Sequence, residues 1–418
     1  MGRYLVCCAK IITFALLRAR ERREYAHILT IMKHNHTIGF DAECANRNNT
    51  GKGNYGRYII DAVASSCRSN TYLRLYIPSH RDNSAYDSLA ERSNIESMEP
   101  DGGLWRKLWW LWQIFGVSRD ATNGGVELFH GLNNHLPYGL SRRNIRSVVT
   151  IHDVHLLNET TPFQPITMRI KRMRIKSSCR RADRIIAVSE GIKRDLTESL
   201  GIDPDKIDII YTGCAQRFTQ QTDEETVMAT REKYSLPERY ILNVGTQSRR
   251  RNIELIIEAM HKLPYPIDLV AVGQSTPHTN RLREKATKLG IAERVHFISC
   301  DNNDDLAAIY QGAEMLVNPT KNSSFGMPLV EALSVGIPVI GTANSCHVEA
   351  AGPDIIYVSP DDSGELADKI DAILNSEELR QQIVTSGRNH ISRFRPEVTA
   401  YNVLNCYKRI GIDLTVGF

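Results

Sequence analysis

Asn318-Pro319-Thr320-Lys321-Asn322-Ser323-Ser324-Phe325-Gly326-Met327-Pro328-Leu329-Val330-Glu331-Ala332 is the stretch that decides the fold. It leaves an apolar run at 314–318, turns through Gly326 and Pro328, and opens a helical apolar period. Ser334-Val335-Gly336-Ile337-Pro338-Val339-Ile340 then stops that helix at glycine and begins another apolar run. Strand, turn, helix and strand at this spacing make a βαβ unit, which belongs in a parallel sheet covered by helices.

The unit recurs in both directions. Downstream and upstream of it, strands are predicted at 240–245, 267–272, 294–299, 314–318, 337–341 and 355–358, with helices starting near Asn252, Pro277, Asp304, Gly326, Asp361 and Ser376. An earlier series has strands at 38–42, 72–77, 126–130, 147–151, 184–188 and 207–211, and helices at 55–67, 104–115, 166–181 and 190–200. The stretch 216–234 opens without an apolar period and reads as a linker; 396–411 reads as a closing helix. The expectation is an α/β protein of two Rossmann-like, doubly wound domains facing across a cleft: 32–215, and 235–394 followed by a helical tail at 395–418. In such sheets ligands bind at the C-terminal ends of the strands, here in the cleft between the domains.

Charge and cysteine usage narrow the class. Of the 418 residues, 52 are Lys or Arg and 48 are Asp or Glu, too even a balance to imply nucleic acid. Six of the basic and two of the acidic residues fall in 1–31, leaving the rest neutral at 46 each. That segment reads either as an extension upstream of a start at Met32 or as a helix lying on a membrane surface. No apolar run reaches the roughly 18–20 residues of a membrane span. Nine cysteines without a Cys-x-x-Cys pair favour a reducing, cytoplasmic setting without structural zinc.

Four constellations carry chemistry. Thr50-Gly51-Lys52-Gly53-Asn54-Tyr55-Gly56 follows the first strand and leads into a helix, where glycines admit a phosphate to a helix N-terminus; such a loop is also an ordinary turn. Val149-Thr150-Ile151-His152-Asp153-Val154-His155 ends a strand, so His152 is either a cleft acid, base or hydrogen-bond donor or a satisfied strand-end histidine, with Asp153 beside it. His130 and His135 follow the preceding strand and are candidates for the same cleft. Gly245-Thr246-Gln247-Ser248-Arg249-Arg250-Arg251 is expected to aim three arginines at the cleft, where guanidinium forks suit a diphosphate. In the opening stretch, backbone amides from Phe325 to Leu329 are expected to be free for a ligand, and Glu331 to accept two ribose hydroxyls or to sit as a charge near the helix start.

Together these residues resemble a retaining glycosyltransferase of family 4 with the GT-B architecture, over roughly 37–411. The resemblance rests on Gly51–Asn54, His152-Asp153, Ala182-Asp183-Arg184-Ile185-Ile186-Ala187-Val188-Ser189, Val244–Asn252 and Phe325–Glu331. Phe129-His130-Gly131-Leu132-Asn133-Asn134, and the stretch from Asn344 to Pro353, are similar to a bacterial subgroup that builds surface polysaccharides. The resemblance implies a C-terminal helix crossing back to the first domain. It implies that Gly51, Gly53, Asn54, Gly245, Arg250, Arg251, Ser323, Ser324, Phe325, Gly326, Met327, Pro328 and Glu331 hold the donor. His152, Arg250 and Arg251 would be catalytic, and His130, Asn133 and Asp153 acceptor or cleft residues.

The implied reaction moves a hexosyl group, mannosyl or glucosyl, from a GDP- or UDP-sugar to a glycan or polyprenyl-linked glycan, with GDP-mannose favoured by the subgroup. No metal and no cofactor beyond the donor substrate are implied. One departure stands out: the usual Glu-Gly-Phe-Gly reads Ser323-Ser324-Phe325-Gly326, so a glutamate expected at the donor sugar is a serine. That leaves open a sugar-nucleotide-binding protein with impaired transfer, or a GT-B epimerase. Arg251 stands where lysine is usual. Residues 169–184 hold eight basic residues and one acid, a candidate contact with anionic membrane or a solvated helix face. All four tryptophans lie in 105–112, with Trp105, Leu108, Trp109 and Trp112 expected on one helix face, either packed into the core or in contact with the acceptor or a membrane.

Overall fold

A computed structural model describes residues 36–47, 51–153, 166–300, 302–321, 323–343 and 346–414. The readings of 1–31, Thr50, Val154, His155, Asn322, Asn344, Ser345 and 415–418 lie outside the described residues.

Two parallel sheets form. The first holds β1 (His36–Asp41), β2 (Thr71–Tyr76), β3 (Ile95–Met98), β4 (Leu128–Gly131), β5 (Arg146–Ile151), β6 (Arg184–Ala187) and β7 (Ile207–Ile209), in the order β3-β2-β1-β4-β5-β6-β7. The second holds β8 (Tyr240–Val244), β9 (Asp268–Val272), β10 (Val295–Ile298), β11 (Met315–Val317), β12 (Val339–Thr342) and β13 (Ile356–Val358), in the order β10-β9-β8-β11-β12-β13. Chain order reverses between β1 and β4 and between β8 and β11, so each sheet has a crevice beyond its strand ends there. The phosphate-type loops predicted at 51–56, 245–252 and 323–328 follow β1, β8 and β11, which places all three at those crevices.

Each sheet has its own core. Ile38, Phe40, Leu73, Val148 and Ile186 belong to the first; Ile241, Leu269, Leu316, Leu329 and Val339 to the second. The helix Pro396–Lys408 packs Val403, Leu404 and Tyr407 into the first core, although it follows the second domain in sequence. Tyr407 Oη lies 2.7 Å from His130 Nδ1. At the crossing, Tyr58 Oη donates to Phe394 O at 2.9 Å, and a Cβ on Gly213 would stand 2.0 Å from that carbonyl, so only glycine fits there.

The structure departs from expectation in several places, beginning with the short helices Glu43–Arg47, Ser84–Ala90, Val117–Asn123 and His347–Ala351, which were not predicted. β3 was not foreseen because only Ile95 of its four residues is buried, too little to make a period at a sheet edge. The predicted helix 104–115 is broken into Gly103–Lys107, Trp109–Leu111 and a π turn at Trp112–Gly116. No single tryptophan face therefore exists: Trp112 alone is in the core, folded against Gly116, whereas Trp105 and Trp110 are 38% and 51% exposed. Residues 216–234 carry a turn at Gln216–Phe218, with Phe218 in the second core, and the helix Glu224–Lys233 capped by Asp223. That helix buries only Thr230, so it leaves no apolar period to read.

Candidate active site

A cavity of about 410 Å³ opens between the two sheets' strand ends. The first domain contributes Gly51, Lys52 and Asn54 at the start of the helix Gly51–Ser66, then Tyr55 and Tyr58, and His152 and Asp153 beyond β5. Thr246, Arg250 and Arg251 follow β8; Ser323 to Pro328 and Glu331 follow β11. Two helix N-termini, those of Gly51–Ser66 and Met327–Val335, thus meet one cavity, and each brings the positive end of a helix dipole.

Local geometry explains why these residues hold their places. Arg57 donates to Asn54 Oδ1 and to Ala45 O, tying the first helical turn to the helix Glu43–Arg47. Gly245 has φ +136°, and a Cβ on it would sit 2.5 Å from Arg251 Nε; the glycine makes room for that guanidinium. Burial first and Arg250 second pull the Arg251 pKa down to about 10, which leaves it charged near neutrality. Lys321 N–H donates to Arg250 O at 3.2 Å, so the β8 and β11 loops are joined. Gly326, at φ +117°, caps the helix Met327–Val335. Asp153 spans the cleft: Ser324 Oγ donates to its Oδ1, and Lys52 Nζ lies 3.9 Å from Oδ2.

His152 is 8% exposed. Its backbone N–H donates to Asn134 Oδ1 at 2.7 Å, and Nε2 lies 2.8 Å from Leu132 O. A carbonyl only accepts, so Nε2 carries the proton. Burial, then Lys52, lowers the pKa of His152 to about 4, and Tyr55 stands edge-on at 4.5 Å. The ring is therefore neutral in the cleft. Glu331 accepts from Tyr310 Oη at 2.7 Å through Oε2, and burial raises its pKa against the pull of Tyr310 and Arg251. Tyr310 was invisible to motif reading, since its helix Asn303–Gln311 lies one crossover earlier.

Several expectations need correction. Arg249 is exposed and does not line the cavity, so two arginines face the cleft, not three. His130 is fully buried between Tyr407 and Thr150 Oγ1, its pKa pulled down to about 3 by burial; it supports the domain instead of facing the cleft. Gly53 is buried behind the helix start and Gly245 beneath Arg251, neither on the wall. Pro328 has no N–H, and Leu329 N–H turns back to Gly326 O at 2.9 Å, which shortens the run of amides available after Phe325. Asn133 and His135 line a second, adjoining cavity, which also touches Lys52 and Asp153.

The buried rings set a pH dependence of stability. His130, His135 and His347 are held near pKa 3 and His152 near 4, against 6.5 in the free side chain. From about pH 6.5 downward the unfolded chain takes these protons and the folded chain does not, so stability is lost as pH falls. Asp41, raised to about 7 by burial, and Glu331 act with the opposite sign, but four histidines outnumber them. The urea midpoint is expected to be lower at pH 5 than at pH 7; an equal or higher midpoint at pH 5 contradicts this.

Two lobes of parallel sheet, with helix N-termini and arginines converging on one cleft, define the GT-B class of glycosyltransferase. Solved structures share the architecture: a glycosyltransferase of Rickettsia africae (18% identity, TM-score 0.69, 90% of this chain and 99% of that one) and the lipopolysaccharide glycosyltransferase WaaG (18%, 0.65, 90% and 100%). Anabaena HepE, solved in complex with UDP-glucose, gives 16%, 0.70, 89% and 99%. Residues 63–215 match glycosyltransferase family 4, and 228–390 match glycosyl transferases group 1. The chain belongs to this family of paired domains. Curated relatives include O-antigen chain mannosyltransferase B of Escherichia coli, 24% identical over 67% of this chain and 74% of its own length. Another is O-antigen chain mannosyltransferase RfbU of Salmonella typhimurium, at 26%, 63% and 67%. The match to the E. coli mannosyltransferase WbdA spans 36% of that longer protein.

Proposed function

We propose that the protein transfers a hexosyl group, with retention and without a metal, from a nucleotide diphosphate sugar to a glycan acceptor in the synthesis of an O-antigen or lipopolysaccharide type of bacterial surface polysaccharide. The observation that carries this is the placement of Arg250, Arg251, Lys52 and two helix N-termini around one cavity between the lobes. In that reaction the bond from the anomeric carbon to the diphosphate oxygen breaks, and charge grows on the leaving phosphate. Preorganised cations and amides stabilise that charge without rearranging at the moment of reaction. The acceptor hydroxyl attacks from the face the diphosphate is leaving and passes its proton to the departing phosphate oxygen, so no carboxylate nucleophile is needed and a serine at 323 is compatible with turnover. Glu331 is placed for the ribose, with Tyr310 fixing one of its oxygens. His152 supplies a neutral ring beside the sugar. The relatives' names support a mannosyl group and the solved HepE complexes a UDP-sugar, so both donors belong in the test.

Among the described residues no group of three His, Cys, Asp or Glu is placed to hold a metal, and no helix is long and apolar enough to cross a membrane. On the helix Ile166–Arg181, Arg169, Lys171, Arg174 and Arg180 are exposed beside Ile170 and Met173. Arg172 is bonded to Ser199 O, Arg181 to Leu136 O and Pro137 O, and Arg184 beyond the helix to Asp208. The basic surface is thus smaller than the sequence count, and we assign it to peripheral contact with an anionic cytoplasmic membrane. Arg169→Glu with Arg174→Glu is expected to abolish co-flotation with phosphatidylglycerol vesicles; unchanged flotation removes that assignment.

The deciding experiment incubates the chain with labelled GDP-mannose or UDP-glucose and a bacterial lipid-linked glycan fraction, with and without EDTA. Transfer that survives EDTA with retained configuration is expected. Loss of transfer to EDTA with rescue by manganese, or inverted product, overturns the corresponding part. Failure of GDP and UDP alike to raise the melting temperature overturns the donor site.

A further inference from the structure

The helix Glu190–Leu200 follows β6 in the first lobe, and the short helix His347–Ala351 follows β12 in the second. The two meet where the first begins. Ser189 caps that helix from within its own lobe, its Oγ accepting from Ile192 N–H at 3.2 Å. The two amides ahead of that one are taken by the opposite lobe: Glu190 N–H donates to Glu349 Oε2 at 2.8 Å and Gly191 N–H to Glu349 Oε1 at 3.4 Å. One carboxylate thus caps a helix of the other lobe, at the end where the helix dipole favours an anion. Gly191 permits the approach, since a Cβ there would stand 2.8 Å from Cys346 Sγ.

The same carboxylate is tied to the donor turn. Tyr211 Oη donates to Glu349 Oε2 at 3.2 Å, and the Tyr211 ring stacks on Phe325 with centroids 5.5 Å apart and planes 28° from parallel. Phe325 lines the donor cavity; Tyr211 and Glu349 stand behind it and do not. Phe394 completes the aromatic group, 5.3 Å from Tyr211 and 5.4 Å from Phe325. Glu349 is held at its backbone as well, because its carbonyl accepts from Arg393 Nη2 at 2.8 Å and from His390 Nε2 at 2.9 Å.

Resting on the proposed transfer, we propose that Glu349 is a positioning residue of the reaction: it fixes how the first lobe seats on the second and holds Tyr211 behind Phe325, without touching the donor. Arg250, Arg251 and Glu331, which meet the nucleotide, all belong to the second lobe, whereas Lys52, His152 and the N-terminus of Gly51–Ser66 arrive with the first. Losing the tie therefore leaves nucleotide binding in place and misaligns the groups that meet the diphosphate and the sugar during transfer. The contact needs reach and hydrogen bonding. Glutamine supplies both, with an oxygen for a helix amide and an N–H for Tyr211; aspartate keeps the charge but is one methylene too short.

Four forms of the full chain are compared: unaltered, Glu349→Gln, Glu349→Asp and Glu349→Ala. Transfer kinetics use whichever of GDP-mannose and UDP-glucose the unaltered chain turns over, calorimetry gives the affinity and number of sites for GDP and UDP, and hydrogen exchange is followed at the 190 and 191 amides. Glu349→Ala and Glu349→Asp are expected to lower kcat about ten- to a hundredfold, as a small misplacement remote from the chemistry does, with donor KM and nucleotide Kd within about twofold. In both, the two amides exchange about tenfold faster, and Glu349→Gln keeps kcat and protection within about threefold of the unaltered chain. Undiminished kcat in Glu349→Ala, a Glu349→Asp more active than Glu349→Gln, nucleotide sites lost in step with kcat, or unchanged exchange at 190 and 191 overturns the positioning role. If Glu349→Ala does not fold, the aspartate and glutamine variants decide the matter as a pair. Absence of transfer in the unaltered chain instead overturns the function on which this rests, and the exchange measurement then decides the tie between the lobes by itself.

Discussion

Arg251→Ala is expected to lower kcat/KM for the nucleotide-sugar by about 10²–10³-fold, the range found when one preorganised donor to a developing oxyanion is removed. Arg251 is the more enclosed of the two cleft arginines, seated over Gly245 with Glu331 and Tyr310 beside it. A guanidinium there loses little hydration further on closing and meets the diphosphate with fixed geometry. Arg251→Lys keeps the charge and loses the fork, and should retain activity within roughly tenfold of the original. The thermal midpoint checks that the lobe still folds. Activity that survives Arg251→Ala at an unchanged midpoint would place the diphosphate elsewhere in the cleft.

Gly326→Ala should damage both fold and site. At φ +117° and ψ 38° the backbone is outside what an alanine adopts without strain, and a Cβ would stand 2.9 Å from His347 Cδ2 and 3.3 Å from Ala350 Cβ. Such strain costs about 1–3 kcal/mol, which lowers the melting temperature of a lobe this size by roughly 2–10 °C. The same movement turns the start of the helix Met327–Val335 away from the cavity. Nucleotide-induced stabilisation should therefore shrink along with the midpoint. Gly290→Ala is the control, since it also lies at positive φ, +72°, but has open space around it and no part in the cleft. If both substitutions reduce stability and only Gly326→Ala reduces nucleotide stabilisation, the site effect is separate from the strain.

Much of this was legible because parallel sheets bury strands on both faces and announce them as apolar runs. The runs at 240–245 and 337–341 needed no context to be read, and the glycine and proline punctuation after them located the loops. Residues that work by contact across the sequence were not legible. Tyr310 orients Glu331 from a neighbouring crossover, and His130 has the same place in its motif whether it faces a cleft or Tyr407. Only packing distinguishes those cases. The tryptophan segment misled for a related reason: its helical spacing is real, but Gly102 and Gly103 and the π turn at 112–116 break the helix that spacing assumes. The helix Glu224–Lys233 was missed because a charged surface helix needs no apolar stripe when one small residue is buried.

The crossing of the final helix has a consequence for how the protein is made. Val403, Leu404, Cys406, Tyr407 and Leu414 complete a core whose other buried residues lie before 211, so about two hundred residues must leave the ribosome before that core can close. Until then the first lobe has an apolar gap where the helix belongs, and His130 lacks Tyr407. The second lobe, whose core residues run from 218 to 383, is complete in one continuous stretch and can fold first. Synthesis order and folding order are thereby inverted, and a chain cut before 396 would leave the earlier lobe open to aggregation however long it waits.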